Sequence, residues 1–272
     1  MIFANIEKTV NTGTKDVILF NIDSKANTAN KGDEQIVNIF MRAFNDMRGY
    51  MGDVFWISEL EEELEENRLY ESFKTEFERI NGEPWEERRV AYGFEQDDII
   101  EALANSACMS REAATRLFEN DGRSYFDVEK FANKLDKYCK SKGEKHQVIF
   151  LVDEVGQYIG ENSKLMLNLQ TIVEELGTKL RGKAWVAVTS QADIDTVTKE
   201  HVKGYDFSKI QGRFNTRLSL TSANVDEVIK KKILSKKEEY RDFLASYYAE
   251  KQTILRNLLA FSNRAEIKVY KN

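Results

Sequence analysis

A chain of 272 residues, 42% hydrophobic and 32% charged, is long enough to bury one large core or a core with an appendage, and its single proline points to a mainly helical architecture. The formal net charge of −6 gives no electrostatic support for DNA contact by the whole molecule. Cys108 and Cys139 stand too far apart in sequence for a C-x-x-C site, the amino terminus lacks a basic region leading into an apolar run, and no stretch approaches the roughly 18 apolar residues of a membrane span, so a cytoplasmic, membrane-free protein is expected.

Four short apolar runs read as strands, at residues 17–22, 148–152, 184–189 and 217–220. The first three are almost continuous in Val, Ile, Leu, Phe, Trp or Ala, the pattern of strands buried on both faces of a parallel sheet. Between the first two lies a long helical insertion. Residues 33–48 carry Ile36, Val37, Phe40, Phe44 and Met47 on one stripe and end at Gly49. Ser58-Glu59-Leu60-Glu61 has the form of a capping box opening a strongly charged helix that stops near Asn81-Gly82, and the acidic run 59–66 reads as a solvated face. Pro84 marks the start of another helical turn, and further helices are expected at about 97–107, 110–118 and 128–142.

From Ser163, an expected N-cap, Leu165, Leu169, Ile172, Val173, Leu176 and Leu180 recur at helical spacing before Gly182, so residues 148–189 form a strand–helix–strand crossover. After the fourth strand, Asn224-Val225-Asp226-Glu227 reads as a helix start. Lys230, Lys231, Lys232, Lys236 and Lys237 load the far end of that helix, where they complement its dipole without any need for nucleic acid.

The chemistry-bearing candidates sit at strand ends. Val148 to Val152 runs into Asp153-Glu154, the pattern of a Walker B strand. A carboxylate at the carboxyl end of a buried parallel strand lies where ligands of open α/β sheets bind. Asp153 is the candidate Mg²⁺ holder and Glu154 the candidate base for an attacking water. The next strand ends in Thr189-Ser190-Gln191, with Ser190 or Gln191 suited to hydrogen-bonding a γ-phosphate. Arg213 and Arg217 then flank the start of the fourth strand, and arginine is the side chain best able to stabilise charge on a transferring phosphoryl group. The phosphate-cradling pattern G-x-x-x-x-G-K-[ST] does not occur. His146 and His201, the only histidines, show no ligand-like spacing.

This order of elements resembles the second half of an AAA+ type P-loop ATPase core. More closely, residues 16–24 (DVILFNIDS), 150–160 (FLVDEVGQYIG), 167–175 (LNLQTIVEE) and 206–229 (DFSKIQGRFNTRLSLTSANVDEVI) resemble the large P-loop ATPase of BREX bacteriophage-resistance systems, the BrxC/PglY type. The resemblance implies an α/β fold: an incomplete AAA+-like parallel sheet with flanking helices, a long helical insertion and the start of a helical lid. It implies a partial core over residues 1–222, with the insertion at about 33–143, and a lid or following domain over 223–272.

It further implies ATP and Mg²⁺ as cofactors of the complete parent, and partners among phage-defence components that include a DNA methyltransferase, with a homo-oligomer as a further expectation. Asp153 and Glu154 take the Walker B roles, Ser190 or Gln191 the sensor role, and Arg213, with Arg217 second, the finger role. In the family the Walker A loop lies upstream of the segment resembled here, so this chain is expected to bind ATP weakly or not at all by itself. The competing expectation is a nucleotide-independent interaction module whose charged insertion and 206–229 segment contact sibling subunits. A metal-dependent nuclease or phosphatase is disfavoured, because such sites recruit further clustered carboxylates or histidines.

Overall fold

Three parallel strands carry the architecture: β1 (Lys15–Asn21), β2 (Gln147–Asp153) and β3 (Ala184–Val188), paired in that order. The computed structural model describes residues 7, 11–26, 35–106, 108–119, 127–160, 162–190, 214, 216, 218 and 229–259. The chain divides into two compact units, Met1–Asn215 and Thr216–Asn272. Of the predicted fourth strand only Leu218 is described, and there it is exposed and outside any strand.

Register places the strand ends together. Asn21 stands opposite Asp153, and Val152 stands opposite Val188, so all three strands terminate at one carboxyl edge. The connections are helical. β1 leads through a short α1 (Ile22–Lys25) to α2 (Gln35–Met47), and after the insertion α8 (Val128–Lys142) returns the chain to β2. From β2 it passes through α9 (Val155–Ile159) and α10 (Ser163–Leu180) to β3. Asn162, not Ser163, caps α10: its Oδ1 accepts from the Lys164 and Leu165 amides at 3.1 and 3.3 Å.

Burial on both faces of the sheet, expected from the apolar runs, is not what the strands show. Burial alternates: Ile18, Phe20, Val148, Phe150 and Val152 are buried, whereas Val17, Leu19 and Trp185 are exposed and Ile149 and Leu151 only half-buried. The cause is topological. Parallel crossovers are right-handed, and when strands follow one another in spatial order each crossover falls on the same side. Helices α2, α8 and α10 accordingly share one core with the buried strand residues. At its centre Phe40 meets Phe20 and Phe150 with ring centroids 5.6 and 5.1 Å apart. Each fully buried phenylalanine stabilises the fold by about 1.5–3 kcal/mol.

The insertion builds a second core from α3 (Phe55–Glu66), α4 (Tyr70–Asn81), α5 (Trp85–Arg88), α6 (Gln96–Asn105) and α7 (Arg111–Glu119). Trp85 sits edge-on to Phe73 and Phe77, each 5.1 Å away. The single charged helix expected here is two. It breaks at Asn67–Leu69, where Arg68 takes a left-handed φ of 61°, and α4 stops at Gly82, left-handed at 86°.

Ser58 opens no helix either. It lies buried inside α3, donates to the Phe55 carbonyl and accepts from Asn45 Nδ2 at 2.8 Å. The acidic run is only partly solvated, because Glu61 is fully buried. Its carboxylate accepts from the Met51 amide at 2.6 Å, Tyr70 Oη at 2.9 Å, Trp85 Nε1 at 2.8 Å and Arg89 Nη1 at 2.8 Å. Next to it, Glu62 joins the two cores by accepting from Arg48 of the α2 end and from Lys134 of α8, the latter at 2.6 Å. Burial pushes the Glu62 carboxyl up, but those two cations outweigh it and hold the group below its ordinary range.

The described part of the second unit comprises a π-helical turn (Ile229–Ile233), a 3₁₀ turn (Glu238–Tyr240) and α11 (Arg241–Leu259), on which the Phe243 and Tyr247 rings stack 6.0 Å apart. The predicted helix start at 224–227 lies outside the described residues, and Lys231, Lys232, Lys236 and Lys237 are exposed. Among the described residues no helix is long and apolar enough to cross a membrane.

Candidate functional site

Asp153 is the last residue of β2 and is exposed at the carboxyl edge, where parallel strands end and the connections diverge. Its Oδ1 accepts from the Thr189 hydroxyl just beyond β3 and from the Glu154 amide at 3.1 Å. The same amide lies 3.2 Å from Thr189 Oγ1. Backbone bonds tie the two strand exits together: the Thr189 amide donates to the Val152 carbonyl and the Val155 amide to the Thr189 carbonyl, both at 3.0 Å.

Glu154 turns the chain from β2 into α9. It does so in the left-handed region, at φ 61° and ψ 27°, which for a residue with a Cβ costs of order 1–3 kcal/mol. The side chain is half-buried, and its Oε2 accepts from Asn21 Nδ2 at 2.6 Å. Asn21 itself is anchored by a second task, since its Oδ1 caps α1 by accepting from the Asp23 and Ser24 amides at 3.0 and 3.2 Å.

Ser190 is half-buried against α9. A Cβ built on Gly156 would stand 1.9 Å from Ser190 Oγ, so glycine is required for the strand exit to approach the helix this closely. The structure thus gathers three strand ends: Asn21, then Asp153 and Glu154, then Thr189 and Ser190. Of the residues singled out from sequence, Asp153, Glu154 and Ser190 belong to this edge, while Gln191, Arg213 and Arg217 lie outside the described residues. Asn21 and Gly156 carry no reading from sequence, and Thr189 is read there only as one of the polar residues that end its strand. Asn21 had a readable signal, because residues 17–21 are an apolar run ending in a polar residue, the same pattern that singled out Asp153.

Chemically, the edge offers an exposed carboxylate held by a hydroxyl, a second carboxylate held by an amide donor, and a serine beside them. Among the described residues no group of three or more His, Cys, Asp or Glu side chains converges as a self-sufficient metal cage. A Mg²⁺ ion needs none, since it binds through one or two carboxylates together with phosphate oxygens and water. His146 serves the opposite end of the sheet: buried, it places Nδ1 2.8 Å from Thr14 Oγ1 and Nε2 3.2 Å from Asp16 Oδ2. His201 lies outside the described residues. No family model matches the chain, and no solved structure matches it.

Proposed function

We propose that this chain carries the Walker B and sensor elements, and the arginine-finger segment, of an AAA+-like ATP-hydrolysing core of the type found in BREX phage-defence ATPases. The observation that supports it most is Glu154: a half-buried carboxylate in a left-handed backbone at the carboxyl edge of a parallel sheet, held by Asn21 and flanked by Asp153 and Thr189. Strain of this kind persists where the surrounding structure over-determines it, and it clusters at sites of chemistry.

In this reading Asp153 would hold a hydrated Mg²⁺, with Thr189 fixing the carboxylate's orientation. The ion, when bound with ATP, would neutralise charge on the β- and γ-phosphates. Glu154 would accept the proton of the attacking water, and Asn21 would set where its carboxylate points. Ser190 would hydrogen-bond the γ-phosphate, and Arg213 or Arg217 would bring positive charge to it. The phosphate cradle would come from a Walker A-bearing segment, in an intracellular assembly with a DNA methyltransferase among its members.

The test joins the chain to a Walker A-bearing segment and follows phosphate release. Glu154→Gln is expected to slow hydrolysis by about 100-fold or more while leaving ATP affinity within about threefold. Equal turnover in the two proteins would remove Glu154 from the chemistry. A nucleotide-independent interaction module is the second reading, favoured by Phe94, 94% exposed on the insertion beside exposed Val90. Phosphate release by the joined protein separates the two, since an interaction module adds no hydrolysis that depends on Asp153 or Glu154.

A further inference from the structure

The net charge of −6 conceals a division. Residues 229–259 carry eight lysines and arginines against four aspartates and glutamates, whereas all the other residues together carry 32 against 42. A basic stretch in an acidic chain is a local footprint for a polyanion, which the charge of the whole molecule does not reveal.

Compensation of a helix dipole, expected from the sequence, does not account for all of these lysines. Lys231 and Lys232 lie in the π-helical turn, residues 234–237 follow outside any helix, and Lys236 and Lys237 stand ahead of the 3₁₀ turn and α11. Cations are favoured at the carboxyl end of a helix, not ahead of its amino end. Lys232, Lys236 and Lys237 are exposed and make no ion pair with another described residue.

The adjoining helix exposes rings. Tyr240, Phe243, Tyr247 and Tyr248 are each more than half exposed. Phe243 and Tyr247, about one helical turn apart, have ring centroids 6.0 Å apart and planes 17° from parallel. With exposed Ile254 they fall within an arc of about 40° at 3.6 residues per turn. Of the carboxylates in this stretch, Glu238 is paired with Arg241 at 3.1 Å and Glu250 with Lys251 at 2.6 Å.

We propose that residues 229–259 bind single-stranded nucleic acid, with Lys232, Lys236 and Lys237 holding backbone phosphates and Phe243 and Tyr247 stacking on bases. Charge complementarity selects a polyanion. The flat exposed rings beside the lysines select one that carries bases, because a basic track with aromatic platforms is what such strands bind. A bilayer surface fits less well, since the tyrosine hydroxyls and the Glu250–Lys251 pair interrupt the stripe that would have to enter the acyl region. None of the strand-edge residues takes part, so the proposal stands or falls apart from the ATPase reading.

Fluorescence anisotropy of the full chain with a fluorescein-labelled oligothymidylate of about 20 nucleotides, longer than a single site of this kind, tests it. The dissociation constant should lie at about 1–100 μM near roughly 50 mM salt. Combining Lys232→Ala, Lys236→Ala and Lys237→Ala should weaken binding about tenfold or more and flatten the slope of log K against log salt by about 2. Combining Phe243→Ala and Tyr247→Ala should weaken it about tenfold or more with the slope unchanged. These side chains are exposed, so the far-UV circular dichroism of both variants should match that of the parent chain.

No binding at about 100 μM chain overturns the proposal, as does binding that neither set of substitutions weakens. A duplex of the same length bound as tightly as the single strand overturns the stacking role and with it the choice of ligand. Two further outcomes overturn it by naming another occupant. Sedimentation with equimolar phosphatidylserine–phosphatidylcholine vesicles without oligonucleotide binding would make the stripe a membrane contact, and self-association lost in Phe243→Ala without oligonucleotide binding would make it an interface between copies.

Discussion

Glu61 and Glu154 are both carboxylates on helix-bearing segments of the first unit, and the protein treats them in opposite ways. Glu61 is fully buried and accepts from four donors, one of them the Arg89 guanidinium. Its surroundings are at rest, with ordinary helical backbone and hydrogen bonds between 2.6 and 2.9 Å. Glu154 is half-buried, takes a side-chain bond from Asn21, and stands in backbone that disfavours it. A saturated buried carboxylate stabilises packing, whereas the left-handed backbone at Glu154 costs stability that the surrounding structure must offset.

That contrast breaks or sharpens under substitution. Glu61→Ala leaves the Arg89 charge, the Trp85 and Tyr70 donors and the Met51 amide without their acceptor, and should destabilise the protein by about 3–5 kcal/mol in urea unfolding. A loss below about 1 kcal/mol would mean that the second core does not depend on this acid. Gly156→Ala should cost about 1–3 kcal/mol in thermal unfolding, because the new methyl meets Ser190. Ser190→Gly in the same chain should recover most of it, and additive effects of the two would show that the strand exit and α9 do not press together. The smallest effect has the opposite sign. Glu154→Gly should raise the denaturation midpoint by about 1 kcal/mol of stability, since glycine enters the left-handed region freely. A loss of stability would show that the Asn21 bond outweighs the backbone strain, and would make Glu154 resemble Glu61 after all.

Much of the fold could be read in advance where pattern and packing agree. Helix α8 has the predicted bounds because Phe131, Leu135 and Tyr138 repeat at helical spacing between a capping Asp127 and Gly143. The three strands lie within a residue or two of their apolar runs for the same reason. What escaped was decided by partners distant in sequence. Nothing local in Ser58 distinguishes a cap from a buried hydroxyl that needs Asn45, thirteen residues away. Nothing local in Glu61 announces Trp85 and Arg89. The bare sheet face was equally hidden, since Val17 and Ile18 look alike until strand order decides which side the helices take. At the site, Asp153 and Glu154 were legible as strand-end acids, but Asn21 becomes their neighbour only through the register of β1 on β2.

The break at Arg68 has a consequence for reach. One helix over residues 58–81 would be a rod of about 36 Å, long enough to act as a lever or to touch a neighbour well beyond the sheet. Broken at Asn67–Leu69, the stretch belongs instead to two helices, α3 and α4, each about 18 Å long, whose apolar residues share the second core. No single rigid helix therefore runs from residue 58 to residue 81, and a push on one end is not carried straight to the other.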